Sequence, residues 1–87
     1  MPAVAGAVGT EANQNYLAAL VDLRKARGLS QGDLARLLGK PASFVGKYEL
    51  GERRLDVVET FVTLKALGEE PAGFLEEHVR RLPEILR

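Results

Sequence analysis

The sequence predicts an all-α fold, one small domain of five short helices, and three observations predict it. From Asn13 onward apolar residues recur three and four positions apart, and no segment reads as a strand. Helix start and stop signals punctuate that pattern: Ser30 with Asp33, Asp56 with Glu59, and Pro71 at the starts, and Gly28, Gly39, Gly51 and Gly68 at the ends. The chain has 87 residues, enough for one modest core that closes without staples.

Each element is dictated by its own residues. Residues 1–12 show no periodicity and no bulky anchor beyond two valines, so they read as a flexible tail, and they carry no Arg or Lys that would make them a basic arm. The folded domain is expected over 13–82. Its first helix runs from Asn13 to Arg27, with Tyr16, Leu17, Leu20, Val21, Leu23 and Arg24 at helical spacing. The second opens at Ser30, whose hydroxyl can accept an orphan N–H while Asp33 reaches back, and it puts Leu34, Ala35 and Leu38 on one face. Gly39 stops it, since the residue past a last turn often needs positive φ. Pro41 then suits the start of a third helix, from about Ala42 to Leu50. Asp56 caps a fourth, with Glu59 at the capping-box position and Val57, Val58, Phe61, Leu64 and Leu67 as its apolar stripe. Pro71 opens the fifth, over 71–82, where Phe74, Leu75, Val79 and Leu82 recur at helical spacing. Residues 83–87 form a tail or one extra turn.

Composition narrows the function. There is no cysteine, which excludes disulfides and thiolate metal sites and fits a reducing cytoplasm. The uncharged run Met1 to Thr10 has no basic leader and is too short to span a bilayer, so neither a signal peptide nor a membrane span is expected. The one histidine, His78, sits as Glu-Glu-His in an acidic helix with no second ligand at metal spacing, and reads as a surface residue. No glycine-rich phosphate loop follows a strand. Neither an enzyme, a cofactor nor a metal is expected. The net charge is zero, but it is unevenly spread: residues 22–54 hold eight basic against four acidic side chains, or +4, whereas 55–87 sum to −3 and 1–21 to −1. A basic middle with an acidic back is the asymmetry of a polyanion-facing surface, although a window of this size also reaches +4 by chance.

The stretch 30–51, SQGDLARLLGKPASFVGKYELG, organises the rest. Its second helix is two-sided at ~100° per residue. Ala42, Ser43, Gly46 and Lys47 make a small polar side, and Phe44, Val45 and Tyr48 a bulky apolar one. A small polar face suits a helix pressed on a flat polar partner. Ala35 lets two helices cross closely, and Val45 fills the angle between them.

Ser30-Gln31, Leu34-Ala35, Gly39, Val45, Lys47-Tyr48-Glu49 and Gly51, followed by GERRLDVVE, resemble the Cro/cI-type (XRE) helix-turn-helix family of prokaryotic and phage DNA-binding regulators, over about Leu20 to Leu75. The resemblance implies a lambda-repressor-like domain that binds double-stranded DNA, with its helix-turn-helix at 30–51. It also implies roles for single residues. Positions matching Ala42, Ser43, Gly46 and Lys47 face the major groove, where Lys47 can donate to guanine, Ser43 can bond either kind of edge and Ala42 can meet a thymine methyl. Ser30 and Gln31 at a helix N-terminus, and Arg53 and Arg54 in the loop after the recognition helix, match phosphate contacts. Arg24 and Glu49 match an ion pair that ties the first helix to the recognition helix; from the residues alone, both charges could equally be solvated. Phe44 lies at the border of the two faces, open to burial or to a base-methyl or sugar contact. The turn Gly39-Lys40-Pro41 departs from the family, which often has an apolar residue and then a Ser or Thr cap there, so the cap hydroxyl is lost.

The function implied is a transcriptional regulator, most simply a repressor, working in the cytoplasm at the nucleoid. A protein-interaction module on the same scaffold and the antitoxin of a toxin–antitoxin pair stand as alternatives. One such domain touches few base pairs, so a homodimer on a pseudo-palindromic operator is expected. The segment 71–82 and the residues after it are rich in apolar side chains, and Phe74, Val79, Leu82 and Leu86 are the candidate dimer contacts. The other reading of Phe74, Leu75 and Val79 is that they complete the monomer core.

Overall fold

The computed structural model describes residues 11–84. Five α-helices and no strands occur among them: α1 (Glu11–Ala26), α2 (Gln31–Leu38), α3 (Ser43–Glu49), α4 (Val57–Ala66) and α5 (Pro71–Val79). The predicted tail lies outside the described residues except Glu11 and Ala12, which already belong to α1. Glu11 in that first turn faces the positive end of the helix dipole, a reason for the helix to begin there. At the other end α5 stops at Val79, three residues short of the predicted 82.

The capping signals are realised as hydrogen bonds. Ser30 Oγ accepts the Asp33 N–H at 2.9 Å while Asp33 Oδ2 accepts the Ser30 N–H at 3.0 Å. Asp56 and Glu59 repeat the arrangement at the start of α4, at 2.7 and 3.0 Å. Glu70 caps α5 by accepting from Ala72 and Gly73, with Pro71 in the first turn. Between α2 and α3 the chain turns at Gly39, whose φ of 70° is left-handed, and the next amide, Lys40 N–H, returns to Ala35 O at 2.9 Å.

Leu20, Leu34, Ala35, Phe44, Val45, Tyr48, Leu64, Leu67 and Phe74 form one core cluster. The helix-turn-helix pair packs on itself, on α1 through α3 and on α4 through α2, and α5 leans on α4. Fully buried Ala35 and Val45 mark the close crossing.

One expectation about faces holds only for Leu64 and Leu67, and one does not hold. In α4 the buried side is Thr60, Thr63, Leu64 and, just past its end, Leu67; Val57, Val58, Phe61 and Val62 are exposed. Thr60 can be inside because its Oγ1 lies 2.7 Å from Tyr16 Oη and donates to Asp56 O at 2.9 Å. In α5, His78 is half-buried rather than a surface residue. Its ring stacks on Phe74, with centroids 4.3 Å apart, and Nδ1 lies 3.3 Å from Phe74 O.

Candidate nucleic-acid interface

α3 presents the candidate surface. Ala42, Ser43 and Lys47 are exposed on one side, while Phe44, Val45 and Tyr48 are buried on the other. The helix is short, seven residues, and its first position has no side-chain cap: Ala42 is already helical (φ −53°, ψ −33°), and Phe44 N–H bonds Pro41 O at 3.0 Å. The turn therefore winds from Pro41 without a capping hydroxyl. Its C-terminal loop hangs on the helix by Glu52 N–H and Arg53 N–H, which both donate to Lys47 O, at 2.9 and 3.3 Å.

Gly46 sits differently from its neighbours on the wheel. A Cβ there would come within 3.3 Å of Gln31 Oε1, so the glycine makes room for the side chain that starts α2 and is not open backbone. Gln31 in turn donates from Nε2 to Glu49 Oε1 at 2.9 Å, which holds the carboxamide across the seam between the helices. Its second Nε2 hydrogen remains able to donate outward. Ser30, likewise exposed, uses its oxygen as the α2 cap and retains its O–H.

Beneath this surface Arg24 and Glu49 meet. Arg24 Nε donates to Glu49 Oε2 at 2.7 Å and Nη2 to Oε1 at 3.1 Å, while Nη1 donates to Leu29 O at 2.8 Å. The side chains are only 10 and 8% exposed. The Glu49 hydrogen bond raises the Arg24 pKa further above its usual value, against the effect of burial. Of the two readings open to the sequence, solvated charges and a pair, the geometry is the pair. Tyr48, beside it in the chain, is fully buried with a hydroxyl that finds no partner among the described residues, and burial pushes its phenol up.

The loop arginines separate. Arg54 is exposed. Arg53 forks onto Glu59, Nη1 to Oε1 at 2.9 Å and Nη2 to Oε2 at 2.8 Å, and Nη1 also donates to Arg54 O at 3.0 Å. Its guanidinium carbon stands 4.8 Å from the centre of the Phe44 ring, and Lys40 Nζ 5.3 Å from the same centre. Arg53 is thus paired within the chain, with its side chain still 40% exposed. Phe44, 7% exposed, belongs to the core. The sequence gives Glu59 only a capping role, and nothing in its six-residue separation from Arg53 marks the fork.

Among the dimer candidates, Phe74 is 8% exposed and meets Tyr16 edge to face, so it belongs to the monomer. Val79 and Leu82 are exposed, at 60 and 54%. Leu86 lies outside the described residues. No cluster of His, Cys, Asp or Glu among the described residues could hold a metal ion, and no helix among them is long and apolar enough to cross a membrane.

A capped helix, a glycine turn and a second helix with a small exposed face, closed by flanking helices, define the helix-turn-helix class of domain. Residues 20–72 match the family model described as helix-turn-helix. Among solved structures, an XRE-family like protein from Pseudomonas syringae pv. tomato str. DC3000 is 40% identical, with a TM-score of 0.76 over 80% of this chain and 85% of that one. No curated protein matches. The chain belongs to the XRE helix-turn-helix family, a family of DNA-binding transcription regulators.

Proposed function

We propose that the chain binds specific double-stranded DNA with α3 in the major groove and regulates transcription, most simply as a repressor that occludes a promoter. The observation that carries this reading is the two-sidedness of α3, with exposed Ala42, Ser43 and Lys47 backed by fully buried Val45 and Tyr48. Lys47 donates to guanine O6 or N7, Ser43 bonds a base edge, and the Ala42 methyl meets a thymine methyl. Gly46 serves by letting Gln31 cross it. Gln31, Ser30 and Arg54 take phosphates and fix the register without reading sequence.

The reading face carries few hydrogen-bonding groups, so shape and paired half-sites supply the rest of the specificity. Two copies therefore act together, through a surface that includes Val79 and Leu82 and excludes Phe74. Selection of bound sites from a random DNA pool tests the proposal. It should return two related half-sites about one helical turn, ~34 Å, apart. A pool that shows no enrichment would refute it.

A second reading is favoured by one observation. The exposed side of α4 carries Val57, Val58, Phe61 and Val62, a partly exposed apolar face. That face suits a protein partner, as in an interaction module or an antitoxin that holds both DNA and a toxin. Substituting Val58 and Val62 by Ser should leave operator binding intact under the first reading and remove the partner under the second.

A further inference from the structure

We propose that Arg53 is the positioning residue of the recognition helix: anchored on Glu59, it seats the first turn of α3 through the Phe44 ring, in place of the N-cap that the sequence lacks. The inference rests on the DNA-binding reading for its consequence, but its geometry stands apart from it.

A seven-residue helix is too short to hold its own direction, and α3 has no capping side chain at Ala42. Its direction must come from outside. Val45 and Tyr48 fix the buried side. Phe44, one residue into the helix, is where the entry end is held, and Arg53 stands over its ring within cation–π range. The arginine does not float there. Its fork onto Glu59 fixes the plane of the guanidinium, and Glu59 is itself fixed because its Oε1 accepts the Asp56 N–H of the α4 capping box. The main chain of Arg53 is tied to Lys47 O as well. One residue thus joins Phe44 in the first turn of α3 and Lys47 in its last turn to the start of α4, and Ser43, next to Phe44, and Lys47 itself lie at those two attachments.

The same geometry argues against a phosphate clamp. Arg53 and Glu59 together carry no net charge, and a neutral pair releases few counterions on meeting a phosphate. The two roles predict opposite signs for one substitution. If Arg53 clamps phosphate, Glu59→Gln frees it, removes a negative charge and tightens binding to all DNA. If Arg53 positions α3, Glu59→Gln lowers affinity for the selected site and leaves random duplex nearly as it was.

The experiment measures binding of the full chain to the selected site and to random duplex across salt for Arg53→Gln, Arg53→Lys, Glu59→Gln and Arg53→Gln/Glu59→Gln. Specific affinity should fall about tenfold in Arg53→Gln, the size of one weakened base contact, with the salt slope unchanged. Glu59→Gln should do the same, the double variant should be no worse than either, and Arg53→Lys should not rescue, since an ammonium cannot fork or stack. A salt slope lower by roughly 0.9 in Arg53→Gln, with rescue by Lys and tighter binding in Glu59→Gln, would overturn the assignment. Amide exchange without DNA gives an independent arm. Protection at Val45, Gly46 and Lys47 should drop in Arg53→Gln and in Phe44→Leu, which keeps an apolar side chain but has no ring, while Leu20 and Leu64 stay protected. Unchanged exchange in both would also overturn it. A parent protein that does not distinguish the selected site from random duplex sinks the DNA reading alone, and the exchange arm then decides the role of Arg53.

Discussion

Removing Arg24 tests how α1 and α3 are held together. In Arg24→Ala three charge-assisted hydrogen bonds disappear, and Glu49, 8% exposed in its side chain, keeps only the Gln31 amide. In Glu49→Ala the guanidinium keeps only Leu29 O. Breaking a buried pair from one side costs roughly 3–5 kcal/mol because the remaining charge is stranded. Since each partner here retains one hydrogen bond, the lower end, about 3 kcal/mol, is expected for each single change. A domain of this size gains or loses about 4–8 °C in Tm per kcal/mol, so each Tm should fall by roughly 12–24 °C. The double change Arg24→Ala/Glu49→Ala strands neither charge and should lose far less than the two single losses combined. Urea unfolding followed by circular dichroism, on both singles and the double, gives the coupling energy. A sum that is additive within about 0.5 kcal/mol would mean the two groups do not interact, and the reasoning would be wrong.

The remaining predictions concern DNA, acid and assembly. Lys47→Ala should weaken the selected site by about 1–3 kcal/mol and relax preference at one base position, as read by competition with single-base variants. Arg54→Ala should weaken selected and random duplex about equally and lower the salt slope by roughly 0.9, and an unchanged slope would remove it from the phosphate contacts. Arg53, followed by the Asp56 N–H, holds the Glu59 carboxyl at about 2, down from 4.5. The unfolded chain therefore binds more protons between those values, so the stability from Glu59 is present above pH 4.5 and is lost as pH falls toward 2. Melting curves across that window should show the gap between parent and Glu59→Gln narrowing as acid is added. Val79→Glu with Leu82→Glu should leave a folded helical monomer with weak specific and intact non-specific binding, and sedimentation showing a monomeric parent at micromolar concentration would count against the dimer.

Helix order and turns were legible because local chemistry sets them. Ser30 and Asp33, Asp56 and Glu59, and Gly39 act within four residues of themselves, and spacing reveals them. The α4 face was not legible, since its valines and Phe61 outscore Thr60 and Thr63 on any apolar count. What Thr60 meets inside is the Tyr16 hydroxyl, 44 residues away in sequence. The site divides in the same way. The exposed side of α3 is set by helical period alone, whereas the partners of Arg53 and the fit of Gln31 over Gly46 depend on how α2, α3 and α4 cross. Phe74 was ambiguous because one apolar stripe serves a core and an interface equally well until its neighbours are known.

The burial of both tyrosines gives the molecule a native spectroscopic readout. The chain has no tryptophan and two tyrosines, and each watches a different part. Tyr16 sits where α1 meets Thr60 of α4 and Phe74 of α5, and Tyr48 lies on the buried side of α3. Burial raises both phenols, so each ionises at a higher pH in the folded chain than in the unfolded one. Tyr16 is half-buried and Tyr48 wholly so. An alkaline titration at the phenolate band therefore reports on both places at once, with no label introduced.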